Sequence, residues 1–412
     1  MNYIFMKKIF FVFTFTLFIG ISQVGASDIP IIYITTADST AITSRDYWLE
    51  NSSLRIIMPD GSAVYESSKA AVKARGHSTF TKPKKPFAIR LEEKSGLLGM
   101  TENRRWVLLA NFMDHSLLRN SLALNIAKQT CLDWTPDSRF VDVVVNGELQ
   151  GCYLLCEQIR IGEEWVDIDK EDGFLIEADN YPNEKYRIDT RFRHLSVNVK
   201  SPEEPSSRQM AFIENYMNEI EQLLYSEELS DLTLLYQKYL DLDTFVDWWL
   251  GHELTQNAEP NGPRSCYMHK DKDGLLKAGP VWDFDLAFIS VGLDKGGDIR
   301  PSRFNRKDVV LLTGDSIYNR RALWYDRLLQ DSQFLKRVKA RWRELEPRFR
   351  ALADDIDRGE ALIGKSALAD EHLWQGQDPA RFDTFTSFHL SVSNLKQVYL
   401  YRIESLNKLL AE

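Results

Sequence analysis

Hydrophobic and polar positions alternate along the first half of the chain, which is the pattern of half-buried β-strands. Asn146-Gly147 separates two such runs and supplies the two positive φ angles of a type I′ turn, which predicts a hairpin. Residues 116–130 instead repeat Leu and Ile at helical spacing, which predicts one helix in this half. The strands predicted here are 31–35, 54–58, 71–75, 87–91, 106–109, 140–145, 149–155, 173–177 and 195–200.

The pattern becomes mostly helical after the Pro-rich segment 201–205. A second hairpin, 266–269 with 275–278 around an Asp- and Gly-rich turn, interrupts the helices. The helices predicted here are 210–225, 230–240, 242–253, 318–356 and 391–410. A β-rich first half and a mostly helical second half predict an α+β fold with two lobes around a cleft.

The N-terminal residues have the pattern of a secretory signal peptide. Lys7 and Lys8 precede an uncharged run of about 13 residues, which is shorter than the roughly 20 needed to span a bilayer. Val24-Gly25-Ala26 then forms a small-x-small cleavage site. We therefore expect cleavage after residue 26, no stable membrane span afterwards, and a secreted, periplasmic or cell-surface protein. The expected division is a signal peptide at 1–26, a β-segment at 27–64, a β-rich lobe at 65–204 and a helical lobe at 205–412.

The net charge of −9 argues against nonspecific binding to nucleic acid or anionic membranes, which requires clustered Lys and Arg. Loss of the signal peptide removes two lysines and no acid, so the mature chain has a net charge of −11.

Four cysteines, Cys131, Cys152, Cys156 and Cys266, would occupy a compartment that permits disulfides. Cys152 and Cys156 would lie roughly 13 Å apart on a strand, too far to bridge each other. Buried free thiols are favoured, and a bridge involving Cys131 or Cys266 stays open.

The densest candidate chemistry is Gly279-Pro280-Val281-Trp282-Asp283-Phe284-Asp285, which follows an apolar strand. Alternate spacing places the carboxylates of Asp283 and Asp285 on the same side. Two carboxylates with phosphate oxygens are typical ligands of Mg²⁺. A helix N-cap with a second acid in the first turn is the structural alternative.

Two further segments are candidates for phosphoryl-transfer chemistry. Glu259 in Asn257-Ala258-Glu259 lies 24 positions before Asp283, where a carboxylate could accept a proton from a substrate hydroxyl. The alternative is a solvated helix end. Arg75-Gly76-His77-Ser78-Thr79 and the Lys-rich residues 82–87 concentrate positive charge suited to phosphate, although such runs are also common in solubilising loops.

Taken in order, these segments resemble the CotH kinase family, the spore coat protein H type of atypical, secreted protein kinases. The resemblance covers roughly residues 65 to 410. The residues that carry it are 73–79, 84–87, 106–111, 118–120, 145–148, 151–157 and 277–284.

The resemblance implies a divergent protein-kinase-like fold that uses ATP and Mg²⁺, with Mn²⁺ as an alternative metal. It implies transfer of the γ-phosphate to Ser or Thr hydroxyls of an extracellular or cell-surface protein, including one associated with polysaccharide. By the same resemblance Asp283 binds metal with Asp285 as a second ligand, and Arg75 belongs to the phosphate-side loop. The resemblance also implies a phosphate-facing lysine at Lys84 or Lys85, and a glutamate, Glu157, that orients this lysine or contacts the nucleotide. Trp282 would stack on adenine or pack in the core. Structural or nucleotide-proximal positions are implied for Asn111, Arg119 and Asn120.

The chain departs from the family pattern at Glu259, where the family usually has Asp, and at His77, where it usually has Asn. The glutamate stem is one methylene longer, and a misplacement of about 1 Å can cost on the order of 10²-fold in rate. A non-catalytic kinase-like scaffold that binds an extracellular protein or a polysaccharide is therefore the rival hypothesis. A glycosidase with paired carboxylates is a third.

Overall fold

The computed structural model describes residues 27–181, 184–225, 233–288, 291–293, 299–301, 317–320, 322–377 and 387–411. The signal peptide predicted at 1–26 lies outside the described residues, as do parts of the predicted helices 230–240 and 318–356. Among the described helices, none combines the length and the apolar character that crossing a membrane requires.

Seven strands form a closed barrel in the order β1-β2-β3-β4-β5-β7-β6. Neighbouring strands are antiparallel except at the closure, where β1 pairs with β6 in parallel. The predicted hairpin is confirmed: Val145 pairs with Glu148, and Asn146 and Gly147 have φ angles of 51° and 88°. The strands are β1 (Ile31–Thr35), β2 (Leu49–Ile57), β3 (Ala63–Ala74), β4 (Phe87–Ser95), β5 (Asn103–Leu109), β6 (Ser138–Val145) and β7 (Glu148–Glu157).

Alternate residues of the barrel strands fill its interior, because successive side chains of a strand point to opposite faces. Ile32 and Ile34 of β1 meet Leu54 and Ile56 of β2 inside a fully buried cluster. The other large members of this cluster are Val72, Ile89, Trp106, Leu108, Val141, Val143, Tyr153 and Leu155. The barrel therefore has its own hydrophobic core.

A second, fully antiparallel sheet has the order β12-β11-β8-β10-β9. Its strands are β8 (Phe174–Ala178), β9 (Arg187–Asp189), β10 (Ser196–Ser201), β11 (Cys266–Lys270) and β12 (Leu276–Ala278). A short hairpin of β13 (Val291–Leu293) and β14 (Ile299–Pro301) completes the described strands.

The helices pack around this second sheet and one side of the barrel and form a second, larger core. The segment 318–356, predicted as one helix, is divided, because Asp331 accepts hydrogen bonds from the Gln333 and Phe334 amides and starts a new helix. The helices are α1 (Arg119–Ala127), α2 (Ser207–Tyr225), α3 (Thr233–Tyr236), α4 (Leu242–Thr255), α5 (Tyr325–Leu328), α6 (Ser332–Ala351), α7 (Ala353–Trp374) and α8 (Phe388–Leu409).

The predicted fold class, an α+β protein-kinase-like fold of two lobes, is wrong for this chain. The first half closes into a barrel, and the second sheet combines strands from both sides of residue 204. The physical reason is β8, whose five residues are all buried and whose two edges both need hydrogen-bond partners. β10 covers one edge, and β11, more than 60 residues further along the chain, covers the other.

All four cysteines are free thiols. Cys152 and Cys156 lie on β7 and are buried, as is Cys266 on β11. Cys131 is exposed, which differs from the buried environment that the sequence favoured.

Candidate active site

A cleft of about 880 Å³ opens between the barrel rim, α1 and the second sheet. Its walls come from the loops after β3 and β5, from β8, β10 and β11, and from the segments around residues 259–265 and 282–286. Five predicted site residues lie in this cleft: Arg75, Glu259, Trp282, Asp283 and Asp285. The fold therefore brings together residues that are more than 200 positions apart in the sequence.

Asparagine side chains hold the Asp283–Asp285 segment in place. Asn120 of α1 donates from Nδ2 to Oδ1 of Asp285 at 2.6 Å and accepts the Phe284 amide at 3.0 Å. Asn257 donates to the carbonyl oxygen of Asp283 at 3.0 Å. Asp283 has a φ of 63°, in the left-handed region, so these contacts fix a backbone geometry that Asp adopts only sparingly.

The two carboxylates are close enough to disfavour each other's charge. Burial and the nearby charge of Glu259 raise the pKa of Asp283 to about 7. Burial and the charge of Asp283 raise the pKa of Asp285 to about 7. A cation between them would offset this repulsion.

Glu259 lies beside Asp283, as the sequence predicted for a shared site. Its amide donates to Oδ1 of Asn257 at 3.3 Å, so Asn257 positions both acidic residues. Its Oε2 is 3.7 Å from Nη1 of Arg264, and the residue is 9% exposed. Glu259 is therefore a buried, oriented carboxylate and not a solvated helix end.

Arg75 follows β3 and contributes positive charge to the same cleft. Its guanidinium carbon is 5.5 Å from the centre of the Trp282 ring, a cation–π distance. Burial lowers the pKa of Arg75, while Asp283 and Asp285 act in the opposite direction. It forms no ion pair with any residue that the structure describes, so its charge is available to an anionic ligand.

Three residues predicted to bind the cofactor lie elsewhere. Lys84 is fully buried and forms an ion pair with Asp370 of α7. Lys85 donates to the carbonyl oxygens of Phe80 at 3.0 Å and Lys82 at 3.1 Å. Glu157 accepts the Asp137 amide at 2.8 Å, and burial raises its pKa. The structure does not bring these three residues to the cleft, and Lys82 is the member of the Lys-rich segment that lines it.

The structure also shows where Asn111, Arg119 and Asn120 lie, whose expected positions were structural or close to the nucleotide. Arg119 reaches the carbonyl oxygen of Asp285 at 3.4 Å and lies 3.6 Å from Asp114. Asn111 accepts a hydrogen bond from Asn120 at 3.0 Å. Both therefore support the Asp285 segment, Arg119 directly and Asn111 through Asn120.

Sequence reasoning missed the wall formed by the second sheet. Glu177 of β8, Asn198 and Lys200 of β10 and Tyr267 of β11 all line the cleft. A signal was present, because a charged Glu177 interrupts the otherwise apolar run 174–178. Its partners could not be inferred, since β10 and β11 are distant in sequence.

Among the described residues there is no group of three or more His, Cys, Asp or Glu side chains that could hold a metal ion. A magnesium site would thus have to combine the two aspartates with ligand oxygens.

A family model described as CotH kinase protein matches residues 72–406 of the chain. No curated protein is similar enough to the chain to be matched with it.

Proposed function

We propose that this chain, which belongs to the CotH kinase family, transfers the γ-phosphate of ATP to Ser or Thr hydroxyls of a protein. One observation carries the proposal: Arg75, Glu259, Asp283 and Asp285 converge on one cleft from three separate segments. Phosphoryl transfer depends mainly on positioning and on neutralising charge. This set of residues offers a cation for phosphate, a carboxylate pair for metal and a third carboxylate for the acceptor.

The two aspartates fit the Mg²⁺ that such a kinase would use. Their mutual repulsion in a buried site favours a bound cation, and Mg²⁺ in such sites takes one or two carboxylates plus phosphate oxygens. We propose Asp283 and Asp285 as its ligands, with Mn²⁺ as an alternative. The metal, when bound, would supply neutralisation of phosphate charge.

Arg75 would bind and orient the phosphates. Its guanidinium is held over Trp282 and is free of ion pairs among the described residues, so it can offer paired N–H donors to phosphate oxygens. Trp282 is thereby better explained as the support of Arg75 than as a surface for adenine.

Glu259 would accept the proton of the acceptor hydroxyl or orient that hydroxyl. Arg264 and Asn257 hold it next to Asp283. Glu259 opens a short 3-10 turn, Glu259–Asn261, that begins close to Asp283.

We also propose that the protein acts outside the cytoplasm on an extracellular or cell-surface protein. The support is the signal-peptide pattern of residues 1–26 and the acidic charge of the mature chain. N-terminal sequencing of the exported protein should give Ser27 as the first residue.

The test is label transfer from γ-labelled ATP to a Ser-rich acceptor protein with Mg²⁺ or Mn²⁺. We expect transfer by the wild type, none by Asp283→Asn, and a loss of about 10²-fold or more in Glu259→Gln, the scale of general-base catalysis. Asp60→Asn is the control, because Asp60 lies in an exposed turn between β2 and β3 and should leave transfer unchanged.

Absence of both nucleotide binding and transfer at every metal concentration would refute the proposal. Nucleotide binding without transfer would favour the non-catalytic scaffold. Unchanged transfer in Asp283→Asn would show that the metal site lies elsewhere.

A further inference from the structure

One face of the second sheet carries a row of polar side chains directed into the cleft. Glu177 of β8 pairs in register with Asn198 of β10 on one side and with Tyr267 of β11 on the other. All three residues line the cleft. Their neighbours along the strands lie on the opposite face and belong to the hydrophobic core: Ile176, Ala178, Val197, Val199, Cys266 and Met268. This row is thus the polar face of an otherwise apolar sheet.

Asn198 is the member of this row whose hydrogen-bonding capacity is unused. Its side chain is 1% exposed, and its Oδ1 has no hydrogen-bond partner among the residues that the structure describes. Glu177, in contrast, accepts a hydrogen bond from Tyr267 and forms an ion pair with Lys200. A buried amide oxygen without a partner is rare in proteins, because it loses its hydration without compensation. Since Asn198 borders the cleft, a ligand is the natural source of the missing hydrogen bond.

The charges around Asn198 exclude phosphate as that ligand group. Lys200 is compensated by Glu177 at 3.2 Å and by Glu184 at 3.0 Å. Asp179 adds a further carboxylate to the same wall. Acceptors therefore dominate this wall of the cleft, whereas Arg75 lines the same cleft and forms no ion pair with the described residues. An uncharged group with N–H donors fits here, and the phosphates fit beside Arg75.

One nucleotide can reach both this wall and Arg75, because Arg75 lies close to Tyr267, and Tyr267 is the register neighbour of Glu177. Flat side chains border the same region: the His77 and Tyr181 rings are 3.8 Å apart, and the Arg264 guanidinium lies 5.4 Å from the Tyr181 ring. A planar base packed against such groups would be stabilised by stacking.

We propose that Asn198 is the residue that selects the base of the nucleotide, binding the amino edge of adenine in preference to the oxo edge of guanine or hypoxanthine. The proposal rests on the proposed function, because it takes the cleft to bind a nucleoside triphosphate. A side-chain amide matches adenine with two hydrogen bonds: Oδ1 accepts from the 6-amino group, and Nδ2 donates to N7. A 6-oxo purine presents two acceptors, O6 and N7, at this edge, so in either orientation of the amide Oδ1 stays unpaired.

The experiment measures binding of ATP and of inosine triphosphate to the full chain by calorimetry with Mg²⁺. The two nucleotides differ at the 6-position and the neighbouring ring proton. We expect ATP to bind wild type about 10-fold to 100-fold more tightly than inosine triphosphate, the range of discrimination by a paired amide. Asn198→Val should lower ATP affinity by the same factor, leave inosine triphosphate affinity unchanged and keep the melting temperature, since it removes an unpaired group.

The matched control is Asn218→Ala. Asn218 is another buried asparagine with an unpartnered amide atom among the described residues, but it lies on α2 outside the cleft. Its substitution should leave the preference for ATP intact.

Equal affinity of the wild type for the two nucleotides would overturn the role of Asn198 while leaving the kinase proposal standing. An Asn198→Val variant that changes only the KM of the acceptor protein would overturn it as well, and would assign this wall to the acceptor. Wild-type protein that binds no nucleotide would overturn the proposed function and this inference together. Because the wild-type comparison needs no variant, equal affinities would overturn the role of Asn198 even if Asn198→Val failed to fold.

Discussion

Asparagine side chains organise the candidate site at the scale of single residues. Asn120 and Asn257 each use both ends of their amide: Asn120 fastens Phe284 and Asp285 to α1, and Asn257 links Asp283 to Glu259. The nitrogen end bonds a carboxylate or carbonyl oxygen, and the oxygen end accepts a backbone amide. Acids that repel each other are in this way held close together, with Arg264 3.7 Å from Glu259 as a nearby counter-charge.

His252 packs against the segment that contains Asp283 and Asp285. Its ring lies 4.0 Å from the Trp248 ring and is stacked on Phe284 at 5.1 Å. Its Nδ1 lies 3.4 Å from Nδ2 of Asn257, which fits an unprotonated acceptor nitrogen. Burial lowers the pKa of His252 to about 3, so the neutral ring is the native form.

We expect His252 to make the protein acid-sensitive. A lowered pKa means that its contribution is complete above the unfolded-state pKa of about 6.5 and is lost as the pH falls towards 3. Over this window the free energy of unfolding should fall by about 1.4 kcal/mol per pH unit from this residue alone. Urea unfolding at pH 7, 6, 5 and 4 measures the slope.

His252→Phe is the comparison, because it keeps an aromatic ring between Trp248 and Phe284 but cannot bind a proton. The difference in unfolding free energy between wild type and variant should shrink steadily below pH 6.5. Parallel curves for the two proteins would contradict the prediction.

At the scale of elements, helix α7 is attached to the barrel by a buried ion pair. Lys84, which precedes β4, pairs with Asp370, and Asp370 also accepts the Cys152 amide of β7 at 3.0 Å. Gly151 makes this approach possible, since a Cβ at that position would collide with the Asp370 carboxylate. Lys84 thus has a structural explanation that needs no phosphate.

Lys84→Met should destabilise the protein by about 3–5 kcal/mol, because it leaves the buried Asp370 charge without its partner. The double variant Lys84→Met/Asp370→Leu should recover part of this loss. Chemical denaturation measures both.

Lys365→Met is the control on the same helix, since Lys365 pairs with Asp28 at 2.9 Å on the exposed surface. We expect its effect to stay below about 1 kcal/mol. A comparable small effect for Lys84→Met would show that the buried pair contributes little to stability.

At the scale of the whole molecule, the barrel extends beyond the family-matched region. The match begins at residue 72, inside β3, whereas β1, β2 and most of β3 come earlier. β1 is the strand that closes the barrel, through its parallel pairing with β6. The residues before 72 are therefore part of the same folding unit.

A chain that starts at residue 72 should fail to fold. It loses Ile32, Ile34, Leu54 and Ile56 from the barrel core, and each such buried side chain contributes about 1.5–3 kcal/mol. It also exposes the edges of β4 and β6. Size-exclusion chromatography and thermal unfolding should show aggregation and no cooperative transition, whereas a chain starting at residue 27 should be monodisperse. A cooperative transition in the shorter chain would contradict this account.

Neighbouring residues along the chain are enough to predict the local elements and the chemistry of the acidic segment. A β-branched run predicted the strand near 31–35, alternation predicted the strand near 87–91, and a fully apolar run predicted the strand near 106–109. Asn146-Gly147 predicted a turn. All these signals depend on residues adjacent in the chain. The grouping of Asp283 with Asp285 could be predicted for the same reason, since the two residues are close neighbours in the chain.

The tertiary structure was needed to establish the closure of the barrel, the pairing of β8 with β11, and the wall of Glu177, Asn198 and Tyr267. It also decided that Lys84 points into the protein interior while Lys82 reaches the cleft. These outcomes depend on contacts between segments far apart in the chain. Local periodicity carries no information about such contacts, since the same apolar strand can pair with any complementary edge.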